Sequence, residues 1–189
     1  MAIEELKEKD SLVIVYTGEG KGKTTAALGL MDRALGHRSK VAFIQFIKQW
    51  GVSEHVFLRD IEPLFRDQLY VYKGGKGFYE AGELSAPNVS DEEHRKAAQD
   101  TYDEALAATS SGEYDLVICD EINNAVHDGL VTQKALGELI TGRSATTSLC
   151  LTGRDFPEEL LGMVDLATEM RKIKHPYDAG FIATKGIDF

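Results

Sequence analysis

Leu12-Val13-Ile14-Val15-Tyr16-Thr17-Gly18-Glu19-Gly20-Lys21-Gly22-Lys23-Thr24-Thr25 is the stretch that decides the fold. Residues 12–16 form a β-branched apolar run, which reads as a buried strand. From residue 24 to residue 35, Ala26, Ala27, Leu30, Met31, Ala34 and Leu35 recur at helical spacing, and Gly36 reads as the C-cap. Between strand and helix lie three glycines and two lysines. Glycine lets backbone N–H groups turn inward around an anion where a Cβ would clash. A helix start adds free N–H groups and about half a positive charge. Residues 18–25 are therefore expected to hold a phosphate chain: Gly18, Glu19, Gly20, Lys21 and Gly22 through the backbone, Lys23 as the point charge, and Thr24 and Thr25 at the helix start. The Thr24 hydroxyl is placed to ligate Mg²⁺. The spacing is one residue short of the common phosphate-loop pattern: three residues separate Gly18 from Gly22, and Thr17 stands at the usual first glycine. No guanine-reading Asn-Lys-x-Asp run follows a strand, which favours ATP over GTP.

Outward from this stretch, strand-like and helix-like runs alternate. Residues 41–47 and 69–72 read as strands, and residues 73–77 as a glycine-rich loop with no helix start behind it. Residues 90–108 read as a long amphipathic helix opened by a Ser90–Glu93 capping box. A strand at 116–119, a helix at 132–140, a strand at 148–152, a short helix at 158–164 and a strand at 166–170 complete the pattern. The expected fold is α/β: a mainly parallel sheet with helices on both faces, of the P-loop NTPase-like, RecA-like kind. In such sheets ligands sit at the carboxyl ends of the strands. The polar clusters that follow the strands should converge there, Asp120-Glu121 and Thr152-Gly153-Arg154 among them. Asp120 and Glu121 resemble the acidic strand end that holds Mg²⁺ in such proteins. Arg154 has two readings, a phosphate contact or a local carboxylate anchor. The adjacent aromatics Phe78 and Tyr79, like Trp50, read either as core plugs or as a lid over a flat apolar ligand.

Composition bounds the rest. At 189 residues with 43% hydrophobic content, the chain suits one globular domain, taken as residues 11–189 behind an N-terminal segment of residues 1–10. Thirty-one acidic against twenty-one basic residues give a formal charge of −10, unlike the net basic face of a nucleic-acid binder. Cys119 and Cys150 sit in apolar runs and read as buried free thiols in adjacent strands rather than a disulfide. The five histidines lack metal-ligand spacing; His175, among the polar residues of the tail, stands out. The charged N-terminus and the lack of a run of about eighteen apolar residues lead to the expectation of a cytoplasmic protein without a membrane span.

Residues 16–25, followed by Arg33-Ala34-Leu35-Gly36-His37 and Gln45-Phe46-Ile47-Lys48, resemble the ATP:corrinoid adenosyltransferases. So do Asp120-Glu121, Thr152-Gly153-Arg154, and the tail of residues 174–180 and 185–189. The matches run in order along nearly the whole chain, and the shortened glycine loop is itself a family trait. The resemblance implies that a corrinoid reduced to Co(I) attacks the ribose 5′ carbon of ATP, forming the adenosylcorrinoid and releasing triphosphate. Carried over by position, residues 18–25 hold the triphosphate, Thr24 and Glu121 bind Mg²⁺ with support from Asp120, and Arg33 contacts the nucleotide. Phe78 matches an aromatic held against the lower face of the corrin. Two residues later the family often has tryptophan where this chain has Glu80, and residues 49–52 depart from the usual glycine-rich continuation. The resemblance also implies a homodimer, with the N-terminal segment closing the partner's site, and a reductase such as a flavoprotein that supplies electrons to cobalt. The alternatives are a small-molecule kinase or ATPase using the same loop, and a nucleotide-binding regulatory module without turnover.

Overall fold

The computed structural model describes residues 8–48, 52–77, 79 and 89–188. Six strands form one parallel sheet: β1 (Val13–Thr17), β2 (Val41–Gln45), β3 (Leu69–Lys73), β4 (Leu116–Asp120), β5 (Ser148–Thr152) and β6 (Leu166–Glu169). Their spatial order is β3-β2-β4-β5-β1-β6. Strand β5 therefore separates β1, which carries the glycine loop, from β4, which ends in the acidic pair.

The helices follow the strands as the alternation requires: α1 (Lys23–Gly36), α2 (Ser53–Ile61), α3 (Asp91–Ser111), α4 (Ile122–His127) and α5 (Gln133–Thr141). Side chains alternate across each strand, so the sheet has two apolar faces. Ile14, Val41, Phe43, Ile118 and Cys150 pack under α1 and α2 with Met31 and Leu58. Val15, Ile44, Val117, Cys119 and Leu151 pack on the other face with residues of α3 and α5, such as Ala105 and Leu136. Crossovers toward β3 run over the first face and crossovers back toward β1 over the second. This is the doubly wound arrangement that right-handed connections produce.

The strand positions match the sequence reading closely. β2 ends at Gln45 instead of Ile47 because Phe46 leaves the ladder, its N–H donating to the Asp120 carbonyl at 3.0 Å. The Ser90–Glu93 capping box is present, and α3 continues to Ser111, where Gly112 closes it in the left-handed conformation. Helices α2 and α4 have no counterpart in the periodicity. In α2 the buried residues are His55 and Leu58 while Val56 and Phe57 face solvent, so no clean apolar stripe marks it. Both cysteines are free and buried. They lie on adjacent strands but, since Cys150 pairs in register with Ile118, they project from opposite faces of the sheet.

Candidate functional site

The loop after β1 opens into α1 without a side-chain cap and without an acidic residue in the first turn, so the first N–H groups of the helix meet no competing carboxylate there. Gly22 caps the helix at φ +109°, a conformation costly for any residue with a Cβ. Gly20 is required for a different reason. Its N–H donates to the Met170 carbonyl at 2.5 Å, and a Cβ there would meet that same oxygen. The loop is thus pressed against the chain leaving β6. Inside it the Lys23 ammonium donates to the carbonyls of Gly18 at 2.6 Å and Gly20 at 2.8 Å. Burial, and then the nearby Arg154 guanidinium, hold Lys23 below the usual lysine range, against the pull of Glu121, Glu19 and Asp120.

Across β5, Asp120 is fully buried. Its Oδ1 accepts from Thr152 Oγ1 at 2.7 Å and its Oδ2 from Gln45 Nε2 at 2.8 Å, while His55 Nε2 faces Gln45 Oε1. Glu121 caps α4 at φ +64°, a left-handed conformation that costs a non-glycine residue about 1–2 kcal/mol. Its N–H donates to Thr152 Oγ1 at 2.9 Å, which pins that turn. Burial, and then Asp120, raise the Glu121 carboxyl above the ordinary range, with Lys48 and Lys23 opposing.

Lys48, just past β2, brings the two halves together. Its Nζ lies 2.9 Å from Glu54 Oε1, 3.3 Å from Thr24 Oγ1, and 3.8 Å from both Asp120 Oδ2 and Glu121 Oε1. An ammonium therefore already stands among the hydroxyl and carboxylate oxygens expected to hold Mg²⁺. That donor set is all oxygen, as a hard divalent cation requires, so the residues fit the metal. Among the described residues no three carboxylate, histidine or cysteine side chains are gathered as a metal site. Thr24 and the phosphate oxygens of a nucleotide would have to complete the shell.

The remaining expected residues divide. Arg154 Nη1 approaches Glu19 Oε2 at 3.5 Å, with both side chains more than half exposed, so it spans the glycine loop as a local carboxylate partner. Its backbone N–H donates to Asn124 Oδ1 at 3.0 Å, which seats the Thr152-Gly153-Arg154 turn on α4. Lys21 pairs with Asp188, which brings the C-terminal tail onto the loop. Thr25 is exposed on the first turn of α1. Arg33 lies in the last turn of α1, ten residues and about 15 Å of helix from Lys23. It lines a cleft with Leu12, Leu116 and Ser148 at the amino ends of the strands, and the structure does not bring it to the loop. Tyr79 is buried edge-on against His94 of α3, at 5.3 Å between ring centroids, which makes it a packing residue. Phe78, Glu80, Trp50 and residues 1–7 lie outside the described residues.

The structure adds Gln45, Lys48 and His55 to the expected site residues, Gln45 and Lys48 from a stretch that carries the family resemblance. The signal was present: a glutamine ends an otherwise apolar, fully buried strand, and such an amide requires partners.

Comparison with known proteins agrees with this geometry. The profile of the family "ATP:corrinoid adenosyltransferase BtuR/CobO/CobP" matches residues 9–189. A corrinoid adenosyltransferase of Sinorhizobium sp is 33% identical over 183 residues, covering 96% of this chain and 82% of the relative. Corrinoid adenosyltransferase CobA of Salmonella typhimurium is 30% identical over 189 residues, covering 99% and 90%. Among solved structures, the flagellar accessory protein FlaH of Methanocaldococcus jannaschii superposes with a TM-score of 0.53 at 14% identity, over 85% of this chain and 71% of FlaH. That likeness shows the fold alone. No helix of the described residues is long and apolar enough to cross a membrane. With a doubly wound sheet, a shortened phosphate loop opening α1 and an acidic pair one strand away, the chain belongs to the ATP:corrinoid adenosyltransferase family of transferases.

Proposed function

We infer that the chain transfers the 5′-deoxyadenosyl group of ATP to the Co(I) of a reduced corrinoid, in the synthesis or salvage of adenosylcobalamin. Cobalt donates an electron pair to the ribose 5′ carbon; the carbon–oxygen bond breaks and its electrons leave with triphosphate. No proton needs to move, so the protein's work is to align the 5′ carbon and to stabilise the charge on the leaving group. The observation that carries this reading is the division of labour in the site. Lys23 and the uncapped start of α1 supply donors that suit a polyphosphate, whereas Thr152 and Gln45 hydrogen-bond the two oxygens of the buried Asp120 and fix it as a support behind Glu121.

Residues 18–25 grip the triphosphate, and Thr24 and Glu121 hold Mg²⁺ with Asp120 fixed behind them. Bound there, the metal would neutralise phosphate oxygens. Phe78 is assigned to the lower face of the corrin. A flavoprotein-type reductase supplies the electrons to cobalt. The protein works in the cytoplasm as a homodimer; exposed Ile173, Phe181, Ile182 and Ile187 in the tail support a partner surface.

The test is to incubate the protein with MgATP and chemically reduced cobalamin or cobinamide. Triphosphate and a light-sensitive cobalt–carbon bond are expected in equal amounts. ADP and phosphate formed without any dependence on corrinoid would overturn the reading in favour of a kinase or ATPase, and tight MgATP binding without turnover would point to a regulatory module.

A further inference from the structure

A side-chain cation stands among the oxygens of Thr24 and Glu121. Lys48 is only 15% exposed, and its ammonium faces three carboxylates: Glu54 from α2, Asp120 at the end of β4 and Glu121 at the start of α4. Its bonding is uneven. It donates hydrogen bonds to Glu54 at 2.9 Å and, more weakly, to Thr24 Oγ1 at 3.3 Å, whereas Asp120 and Glu121 stand at 3.8 Å, beyond hydrogen-bond distance but well within electrostatic reach. The ammonium thus neutralises the site while hydrogen-bonded to only one of the two residues assigned to the metal, Thr24.

A divalent cation and an ammonium cannot share this space cheaply, because like charges a few ångströms apart in a half-buried site repel strongly. A lone Mg²⁺ would have to expel Lys48. A nucleotide changes the balance, since the polyphosphate brings several negative charges and offers the ammonium new partners within reach of its flexible stem. We propose that Lys48 is a resident counter-cation that competes with the divalent metal for the Thr24–Glu121 site, so that metal enters together with a nucleoside triphosphate and not ahead of it. Lys48 is then a positioning residue that makes loading of metal and nucleotide a single event, and Glu54 is the berth that retains the ammonium when the metal arrives. This rests on the reading that Thr24 and Glu121 hold the cation.

The test uses Mn²⁺ as the probe, its binding to the full-length protein followed by electron paramagnetic resonance without nucleotide. Lys48→Met should bind Mn²⁺ about tenfold more tightly than the unaltered protein, whereas Lys48→Arg, which keeps the cation, should not. Equal Mn²⁺ affinity in Lys48→Met and the unaltered protein overturns the proposal. Should Lys48→Met fail to fold, acetylation of Lys48 in the unaltered protein, read by mass spectrometry, gives the same answer: saturating Mn²⁺ should raise it, and unchanged labelling refutes displacement. Glu121→Gln separates the two readings. If it binds Mn²⁺ with ATP as well as the unaltered protein does, the metal-site assignment fails, whatever Lys48 does.

Discussion

Two glycine-rich, lysine-bearing loops leave the carboxyl ends of strands in this sheet, residues 18–25 after β1 and residues 73–77 after β3. In composition they look alike. In the first, the backbone runs into a helix whose opening N–H groups have no side-chain cap, and a lysine stands at its centre. In the second, the N–H groups of Gly74 and Gly77 donate to the carbonyls of Gln45 at 3.0 Å and Ile47 at 2.9 Å. Gly74 is there because the chain passes against α3, where a Cβ would fall 1.7 Å from Thr101 Oγ1. The first loop gives its Gly20 N–H to Met170 but leaves the N–H groups that open α1 without a side-chain cap, whereas the second gives the N–H groups of both Gly74 and Gly77 to the fold. Glycine content does not separate the two; the fate of the backbone donors does.

The largest expected effect tests the first loop. Lys23→Ala should lower adenosyl transfer by about a hundredfold or more, the scale of losing one charge-stabilising donor, with the fold intact by circular dichroism. Triphosphate release measures it, and unchanged turnover would remove Lys23 from the site. The second loop should respond in stability instead. Gly74→Ala should destabilise the protein by up to about 3 kcal/mol in urea denaturation while the folded protein keeps its ATP affinity. A loss of ATP affinity at full stability would break the comparison.

Between these lies the rim that holds the acidic pair. Thr152→Val keeps the shape but strands Asp120 Oδ1 and the Glu121 N–H, and should cost about 2 kcal/mol. Turnover should fall with it, because nothing then pins the left-handed turn at Glu121.

The smallest effect lies at the amino end of the sheet. The side-chain hydrogen bond from Lys9, and then the Val13 N–H at 2.8 Å, hold the Asp165 carboxyl below its ordinary range. The folded protein therefore takes up this proton less readily than the unfolded chain does. The stabilisation is present above about pH 3.9 and is lost as pH falls below it toward the folded value. Asp165→Asn should remove no more than about 1 kcal/mol near neutral pH and flatten the acid limb of a stability–pH curve, with turnover unchanged. A steeper acid limb in the variant would contradict the assignment.

The strand–loop–helix at residues 12–35 was legible because each level agrees: a β-branched run, glycines where the backbone must turn, then an apolar stripe at helical spacing. The capping box at Ser90 and the acidic end of β4 were legible for the same local reasons. Helix α2 was not, because half of its apolar residues face water and one of its buried residues is His55. The partners of Asp120 were not legible either. Gln45 and Thr152 come from β2 and β5, with His55 of α2 behind Gln45, and only the order of strands brings them together. Arg33 illustrates the converse: a basic residue in a matching motif, carried by the helical rise to the end of α1 away from the loop.

By itself, then, the sequence determined the alternation of strands and helices, the phosphate loop and the acidic strand end, and through its ordered motifs the family. All of these rest on neighbours within a few residues, whose preferences are set by backbone geometry and side-chain spacing. The tertiary structure decided which loop leaves helix-opening donors uncapped, which carboxylate is already engaged, and that a lysine after β2 stands among oxygens from α1, α2, β4 and the start of α4. Those facts depend on burial and on electrostatic distances across the sheet, quantities that exist only once the chain has folded.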